Sequence, residues 1–332
     1  MAQIRSKISL LVKILVAVGL IYYLVHSGHL DLSKVWDLIT VPNVIIALVL
    51  AGITLALSAW RWIVLLKARD FNIPYVYGCG LYLIGMFFNY ALPGSVSGDL
   101  VRGYYLVQDY PARKMDGALS VLIDRILGLY SFFILSLIAV AWDFNFVMSH
   151  EKIRLVAGLS FLLFVGMTVF FLLGFSPRFY RWSHLDFIIR RIGPLQKVMH
   201  GFQRFGQNRR VLALSVGVSL LAQCATLVFF YGIGVLMHES ALTWQAVLFV
   251  VPMGFVVTAV PIAPAGVGVG QVAFLYLFQT YMGSNTQYGA VSITAFQLAT
   301  AVWSMMGIPF YLRRRKPHEL ENLETTMEAA EA

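Results

Sequence analysis

The sequence predicts an all-α polytopic integral membrane protein: six full spans plus two re-entrant broken-helix elements, arranged as an inverted-topology repeat. Three observations carry that expectation. Hydrophobic residues make up 59% of the 332 and charged residues only 12%, whereas soluble domains run near a quarter charged. Two apolar runs, one in each half, are interrupted by proline and clustered glycine. Backbone broken at membrane depth persists only inside protein or beside a water-filled cavity. Finally, the net charge of +9 sits in the loops between apolar runs, which is the pattern of cytoplasmic loops and of contact with anionic lipid. No nucleic-acid partner is expected from it.

Ile8 to Val25 follows Arg5 and Lys7 and ends without a small-x-small cleavage site, so a retained signal anchor is expected. The second span, Asn43 to Leu66, carries Trp60-Arg61-Trp62 near one end, where the arginine is expected to snorkel to the interface between two belt tryptophans. The first broken element runs from Tyr75 to about Val107 and is interrupted by Pro93, Gly94 and Gly98. Met115 to Trp142 is apolar except for Asp124-Arg125, and Ile153 to Gly174 is a clean span. The basic loop that follows interleaves Arg178, Arg181, Arg190, Arg191, Lys197 and Arg204 with aromatics, as short helices lying in the headgroup region would.

Val211 to Met237 spans again. Trp244 to Met282 is the second broken element, with Pro261, Pro264, Gly266, Gly268 and Gly270 at its break. Tyr288 to Leu312 is the last span, stopped by Arg313-Arg314-Arg315-Lys316, and the acidic tail 317–332 is expected to be disordered.

With the N-terminus placed in the cytoplasm, every basic cluster falls on the cytoplasmic side and so does the C-terminus. The first broken element then opens inward and the second outward. Gly94-x-x-x-Gly98-Asp99 aligns with Gly266-x-x-x-Gly270-Gln271 at an offset of 172 (266 − 94), which also sets Arg125 on Gln297 and Asn43 on Ser215. Broken helices at corresponding places in two inverted halves point to the substrate site of a transporter.

Asp99 and Arg102 are three apart and share a helix face. Asp124 lies roughly 14 Å into its span at 1.5 Å per residue. Gly117, Ser120, Asp124, Gly128 and Ser131 form a small, polar stripe that should face protein or water. An unpaired charge at that depth costs about 2.5–3.5 kcal/mol, so each needs a partner. Two readings stay open. One is a structural ion-pair set joining Asp99 or Asp124 to Arg125 or Arg102. The other is a site whose arginines meet a phosphate, with backbone N–H groups of Ser95 to Gly98 and Gly266 to Gly270 offered to the same anion. The candidate substrate-binding residues are Asn89, Ser95, Ser97, Asp99, Arg102, Asp124, Arg125, Gln271 and Gln297, with Asp99, Arg102, Asp124, Arg125, Gln271 and Gln297 expected to converge on one polar cavity between the repeats.

No catalytic residue is marked, and no cofactor or metal site is expected. Cys79 and Cys224 lie in apolar runs as small buried residues, and the phenylalanines and tyrosines are expected mostly at lipid and in interfacial belts.

At these residues the sequence resembles the lysylphosphatidylglycerol synthase transmembrane family, also called flippase-like domain proteins. Its Asn, Leu-Pro-Gly, Gly-Asp and Arg are matched by Asn89, Leu92, Pro93, Gly94, Gly98, Asp99 and Arg102. Its Asp-Arg is matched by Asp124-Arg125, and its late Pro-x-x-Pro-x-Gly-x-Gly by Pro261, Pro264, Gly266 and Gly268. The chain departs at Gly270-Gln271, where members often carry Arg-Glu. The resemblance implies a flippase-like transmembrane domain over 1–316, with repeat halves about 43–142 and 211–312. In multiple peptide resistance factor proteins this domain moves aminoacylated phosphatidylglycerol between leaflets, and a separate soluble domain makes the lipid.

No synthase domain is expected after Leu312, so the resemblance implies the translocating part alone. The expected function is movement of an anionic or aminoacylated phospholipid, or of a polyprenyl-phosphate-linked lipid, across the inner (cytoplasmic) membrane. The alternatives are an intramembrane transferase on a lipid headgroup, or a scaffold for a separate lipid-modifying synthase. The lipid is the expected partner, and a homo-oligomer is compatible with the sequence.

Overall fold

The computed structural model describes residues 18–92, 96–175, 193–260 and 263–314, and these form helices and short connections without a strand. Most of the expected signal anchor, residues 176–192 of the basic loop and the acidic tail lie outside the described residues. The helices that build the body are α1 (Val41–Lys67), α2 (Tyr75–Ala91), α3 (Ser97–Asp109), α4 (Lys114–Trp142), α5 (Glu151–Phe175), α6 (Gly193–Gly206), α7 (Arg209–Leu236), α8 (Trp244–Thr258), α9 (Val269–Met282), α10 (Tyr288–Met305) and α11 (Gly307–Leu312). Among the described residues five helical segments are long and apolar enough to cross a membrane: Val41–Lys67, Pro111–Trp142, Glu151–Phe175, Arg209–Leu236 and Tyr288–Leu312.

Helix α1 illustrates how such a span is made. Thr40 precedes it in extended conformation and Pro42 sits in its first turn, where a missing N–H removes no helical bond. Val41, Val44, Ile45, Ile46, Val49 and Ile53 are exposed, whereas Ala51, Ala59, Trp62, Leu65 and Leu66 are buried. Lipid is as apolar as leucine, so large apolar side chains can face outward without penalty, while the buried face combines the small Ala51 and Ala59 with Trp62, Leu65 and Leu66 toward the C-terminal end. Helix α5 takes this furthest: only Ile153, Ala157, Ser160 and Gly174 are buried, which marks it as peripheral. The amphipathic α6 tucks Phe202 and Phe205 against Leu119, Ile123 and Leu127.

Both interrupted elements are helical hairpins. At 1.5 Å per residue the legs of the first, α2 and α3, reach roughly 25 and 20 Å. Tyr77 near the start of α2 donates a hydrogen bond to Asp109 at the end of α3, so this hairpin returns to the end it left. In the second, the rings of Phe249 on α8 and Tyr281 on α9 lie 5.5 Å apart.

The second break turns on left-handed backbone at Ala265 (φ 48°), Gly266 (φ 71°) and Gly268 (φ 83°), where glycine fits without a Cβ clash. Pro264 opens the short turn Pro264–Gly266, while Pro93, Gly94 and Pro261 fall outside the described residues. Gly98 and Gly270 are not break residues. Each is the second residue of the returning helix, and each permits close packing. A Cβ on Gly98 would lie 1.7 Å from the carbonyl oxygen of Gly85, and one on Gly270 would lie 3.2 Å from a Thr258 methyl.

The ends of the molecule differ in charge. Where the first hairpin opens, Arg69 and Arg204 pair with Asp116 at 3.1 and 3.0 Å, and Arg314 pairs with Asp109 at 2.6 Å. The second hairpin opens at the far end of α4, where Phe146 packs on Tyr281 and Thr286 donates to Glu239.

Two expectations fail here. The aromatics are divided rather than mostly lipid-facing: among the described residues eleven phenylalanines and tyrosines are buried against nine exposed, and Phe230, Phe255, Phe274 and Phe296 cluster with centroids 5.1–5.8 Å apart. Cys224 is exposed and Cys79 half-buried rather than both being core residues.

Candidate functional site

The returning leg α3 and the spans α1 and α4 bring five charged side chains into one chain of contacts. Asp124, 1% exposed on the small-residue stripe of α4, accepts from Arg61 Nε at 2.7 Å and from Arg102 Nη2 at 2.9 Å. Arg102 also meets Asp99 Oδ1 at 2.9 Å, and Asp99 Oδ2 accepts from Arg125 Nη1 at 2.6 Å. Arg61 closes one end by donating to Ser219 Oγ at 2.7 Å, and Arg125 closes the other by donating to the Ala259 carbonyl at 3.2 Å.

Why these partners and not others follows from helix geometry. Asp124 and Arg125 are neighbours in sequence, and successive residues on a helix point about 100° apart. Asp124 therefore turns toward α1 and Arg125 toward the hairpin tip. Gly117, Ser120, Asp124 and Ser131 are all buried. Gly128 leaves the space for Arg61, since a Cβ there would stand 3.3 Å from its guanidinium.

Arg61 was expected as an interfacial anchor, and the structure corrects this. It is 5% exposed and Trp62 is fully buried, while only Trp60 reaches the surface. Arg61 lies six residues before the end of α1, roughly 9 Å inside the helix end, and on the face that meets Asp124. A charge so placed in an apolar run is itself the signal that finds it.

Arg102 is enclosed rather than presented. Its guanidinium lies 4.8 Å from the Trp62 ring and 4.9 Å from the Tyr82 ring, and its Nε and Nη1 have no hydrogen-bond partner among the described residues. Cation–π attraction to two rings compensates part of that loss.

In front of Tyr82 lies a central cavity of about 360 Å³, lined by Thr54, Ser58, Asn89, Tyr90, Arg125 and Thr300 with walls from Phe132, Phe255 and Phe296. Arg125 is the one charged side chain among the described residues that line it, and its side chain is 24% exposed.

The expected convergence of six residues on one cavity is thus divided. Arg125 reaches the cavity, Asp99 stands beside it, and Arg102 and Asp124 are buried behind. Gln271 and Gln297 form a separate pair, with Gln271 Nε2 donating to Gln297 Oε1 at 2.7 Å. Gln271 Oε1 also accepts from Gly268 N at 2.7 Å, so this pair braces the second break. Asn89 lines the cavity while accepting from Gly98 N at 2.8 Å, and Ser97 Oγ donates to the Phe88 carbonyl at 3.2 Å, tying the first hairpin's legs together. Ser95 lies outside the described residues. Tyr82, Tyr90 and Thr300 were not foreseen, since hydroxyls inside apolar spans carry no local signal.

A family model for the lysylphosphatidylglycerol synthase TM region matches residues 10–307. The chain belongs to this family. It is accordingly a multi-pass membrane protein whose role concerns membrane lipid. No curated protein and no solved structure matches it. The family match spans both hairpins, the charged chain and the cavity, so the site lies wholly inside the region that defines the family.

Proposed function

We propose that this family member is a lipid flippase that moves a phosphate-bearing lipid between leaflets without changing it chemically. One observation carries the reading. Among the described residues Arg61 and Arg102 already balance Asp99 and Asp124, so Arg125 is a third guanidinium beside two carboxylates, and of the three it is the one that lines the cavity. A phosphate matches guanidinium geometry and makes short charge-assisted hydrogen bonds with it. Hydroxyls of Thr54, Ser58, Tyr90 and Thr300 surround the same space. Anionic or aminoacylated phospholipids and polyprenyl phosphates share this chemistry.

Purified protein in liposomes tests the proposal. The expected result is a changed leaflet distribution of a labelled phosphatidylglycerol or polyprenyl phosphate at unchanged lipid mass. A change of lipid mass would point to a transferase, and no change of either kind would leave a scaffold.

We also infer that the two hairpins belong to an inverted repeat with a pseudo-two-fold axis. Its support is the offset of 172. Shifted by it, α3 (97–109) becomes 269–281 against the observed Val269–Met282, and α4 (114–142) becomes 286–314 against Tyr288–Leu312. Thr54 and Thr226, 172 apart, meet at 3.3 Å, as residues on a two-fold axis must. Each bonds back to its own helix in the same way, Thr54 to Leu50 O at 3.1 Å and Thr226 to Ala222 O at 3.3 Å. In this reading the hairpins are re-entrant from opposite faces. The arginine-rich end, near Arg69, Arg113 and Arg314, faces the cytoplasm of a cell membrane. Labelling single cysteines at 113, 150, 239 and 285 with an impermeant reagent checks it: only the last three should react from outside.

A further inference from the structure

A second space opens on the other side of Arg125. It is a groove of about 310 Å³ between α3 and α4, with Leu100, Gly103, Tyr104, Val107 and Leu122 along it and Asp99 and Arg125 at its inner end. Leu100 is 70% exposed, Tyr104 58% and Leu122 43%, so the groove gives onto the apolar flank of the molecule. Among the described residues Arg125 is the one that lines both the groove and the central cavity. The Asp99–Arg125 pair therefore stands where a polar chamber meets an apolar one.

We propose that this groove holds the hydrocarbon chain of a phosphate-bearing lipid while its phosphate exchanges for Asp99 on Arg125. The assignment rests on the flippase reading for the role of Arg125 and adds the place where the lipid binds. The exchange leaves no carboxylate stranded. When Asp99 releases Arg125 through Oδ2, its Oδ1 keeps Arg102 at 2.9 Å, and Asp124 keeps both Arg61 and Arg102. Two cations then face two anions in the buried set, and the third cation faces the phosphate. The occupant is fixed by this juxtaposition, because a guanidinium at the inner end of an apolar groove complements an anionic head on a long apolar tail.

The experiment is photo-crosslinking in phosphatidylcholine nanodiscs. One arm carries phosphatidylglycerol with a diazirine in its acyl chain, a second a diazirine-bearing polyprenyl phosphate, and a third the same acyl chain on uncharged diacylglycerol. Peptides covering 100–107 and 118–122 should be labelled by a phosphate-bearing probe in preference to diacylglycerol, and the stronger of the first two arms names the lipid class. Gly103→Leu should lower that labelling roughly tenfold by filling the groove. Gly103→Ala should leave it near the parent level, since a Cβ there meets only a Val121 methyl at 3.5 Å. Leu100→Trp, at an exposed position that does not endanger folding, gives a second plug.

Arg125→Gln should remove the preference for phosphate. Equal labelling by diacylglycerol, or labelling that neither plug reduces, overturns the assignment. Leaflet exchange that persists without groove labelling overturns it while sparing the flippase reading. Selective groove labelling without leaflet exchange supports the binding site and removes the flippase reading.

Discussion

Three residues into each returning helix, a side chain reaches across to the following span, and the two halves fill these places with different chemistry. In the first half Asp99 meets Arg125 at 2.6 Å; in the second Gln271 meets Gln297 at 2.7 Å. Both partners are related by the same shift (271 − 99 = 172 and 297 − 125 = 172). The geometry is kept while an ion pair is exchanged for an amide pair. Gln271 is 1% exposed and spends its oxygen on Gly268 N, so its pair is closed and holds a turn. Arg125 faces a cavity. One position therefore supports architecture in one half, and in the first half carries a charge to where a ligand can reach it.

The largest effect that separates the halves concerns glycine. In the first hairpin the obstacle to a methyl group at position 98 is backbone, at 1.7 Å; in the second, at position 270, it is the end of a threonine side chain at 3.2 Å. Gly98→Ala should cost about 4–5 kcal/mol, the range of severe core disruption, and leave little folded protein. Gly270→Ala should cost about 1–2 kcal/mol, because the side chain can yield. Thermal unfolding followed by size-exclusion in detergent reads the difference, and equal losses would show that the first hairpin is not held by this contact.

The next contrast is Asp124 against its counterpart Phe296. Asp124 joins two arginines, while Phe296 packs with Phe229, Phe230 and Phe255. Asp124→Asn strands buried cations and should cost about 3–4 kcal/mol, part of which Arg61→Gln restores by removing one of them. Phe296→Ala should cost a similar amount through a cavity, with no gain from any charge change. Rescue in the first half and none in the second is the expected pattern in the same unfolding assay.

These contrasts also explain how far the sequence could be read. The hairpins were legible because proline and glycine clusters interrupt otherwise apolar runs. Asp99 and Arg125 were legible as intramembrane charges, but their pairing was not, since it depends on which faces two helices turn to each other. Arg61 was hidden between two tryptophans that imitate an interfacial belt. Gly98 and Gly270 look like breakers in the sequence because glycine serves equally to turn a chain and to let helices touch.

If the charge at 125 is what function needs, converting the first pair to the second should be tolerated by the fold. Asp99→Gln with Arg125→Gln leaves Arg61 and Arg102 sharing Asp124, so it should still fold, at a cost of about 1–3 kcal/mol and less than Asp124→Asn. It should lose about 1.5–3 kcal/mol of interaction with phosphate, roughly ten- to hundredfold in leaflet exchange. Full exchange by this variant would return both pairs to architecture.

The smallest expected effect is the most exacting test of the symmetry itself. Thr54 and Thr226 touch each other at 3.3 Å, and each donates within its own helix. Thr54 also reaches the Ala222 carbonyl at 3.3 Å. Valine keeps the shape and removes the hydroxyl, so each single change should cost about 1 kcal/mol, the net worth of one hydrogen bond. On a two-fold axis the two costs should agree within about 0.5 kcal/mol, and because the residues are in contact the double variant should lose less than their sum. Unequal costs that add without coupling would place the axis elsewhere, since only there can one residue stand in for its counterpart.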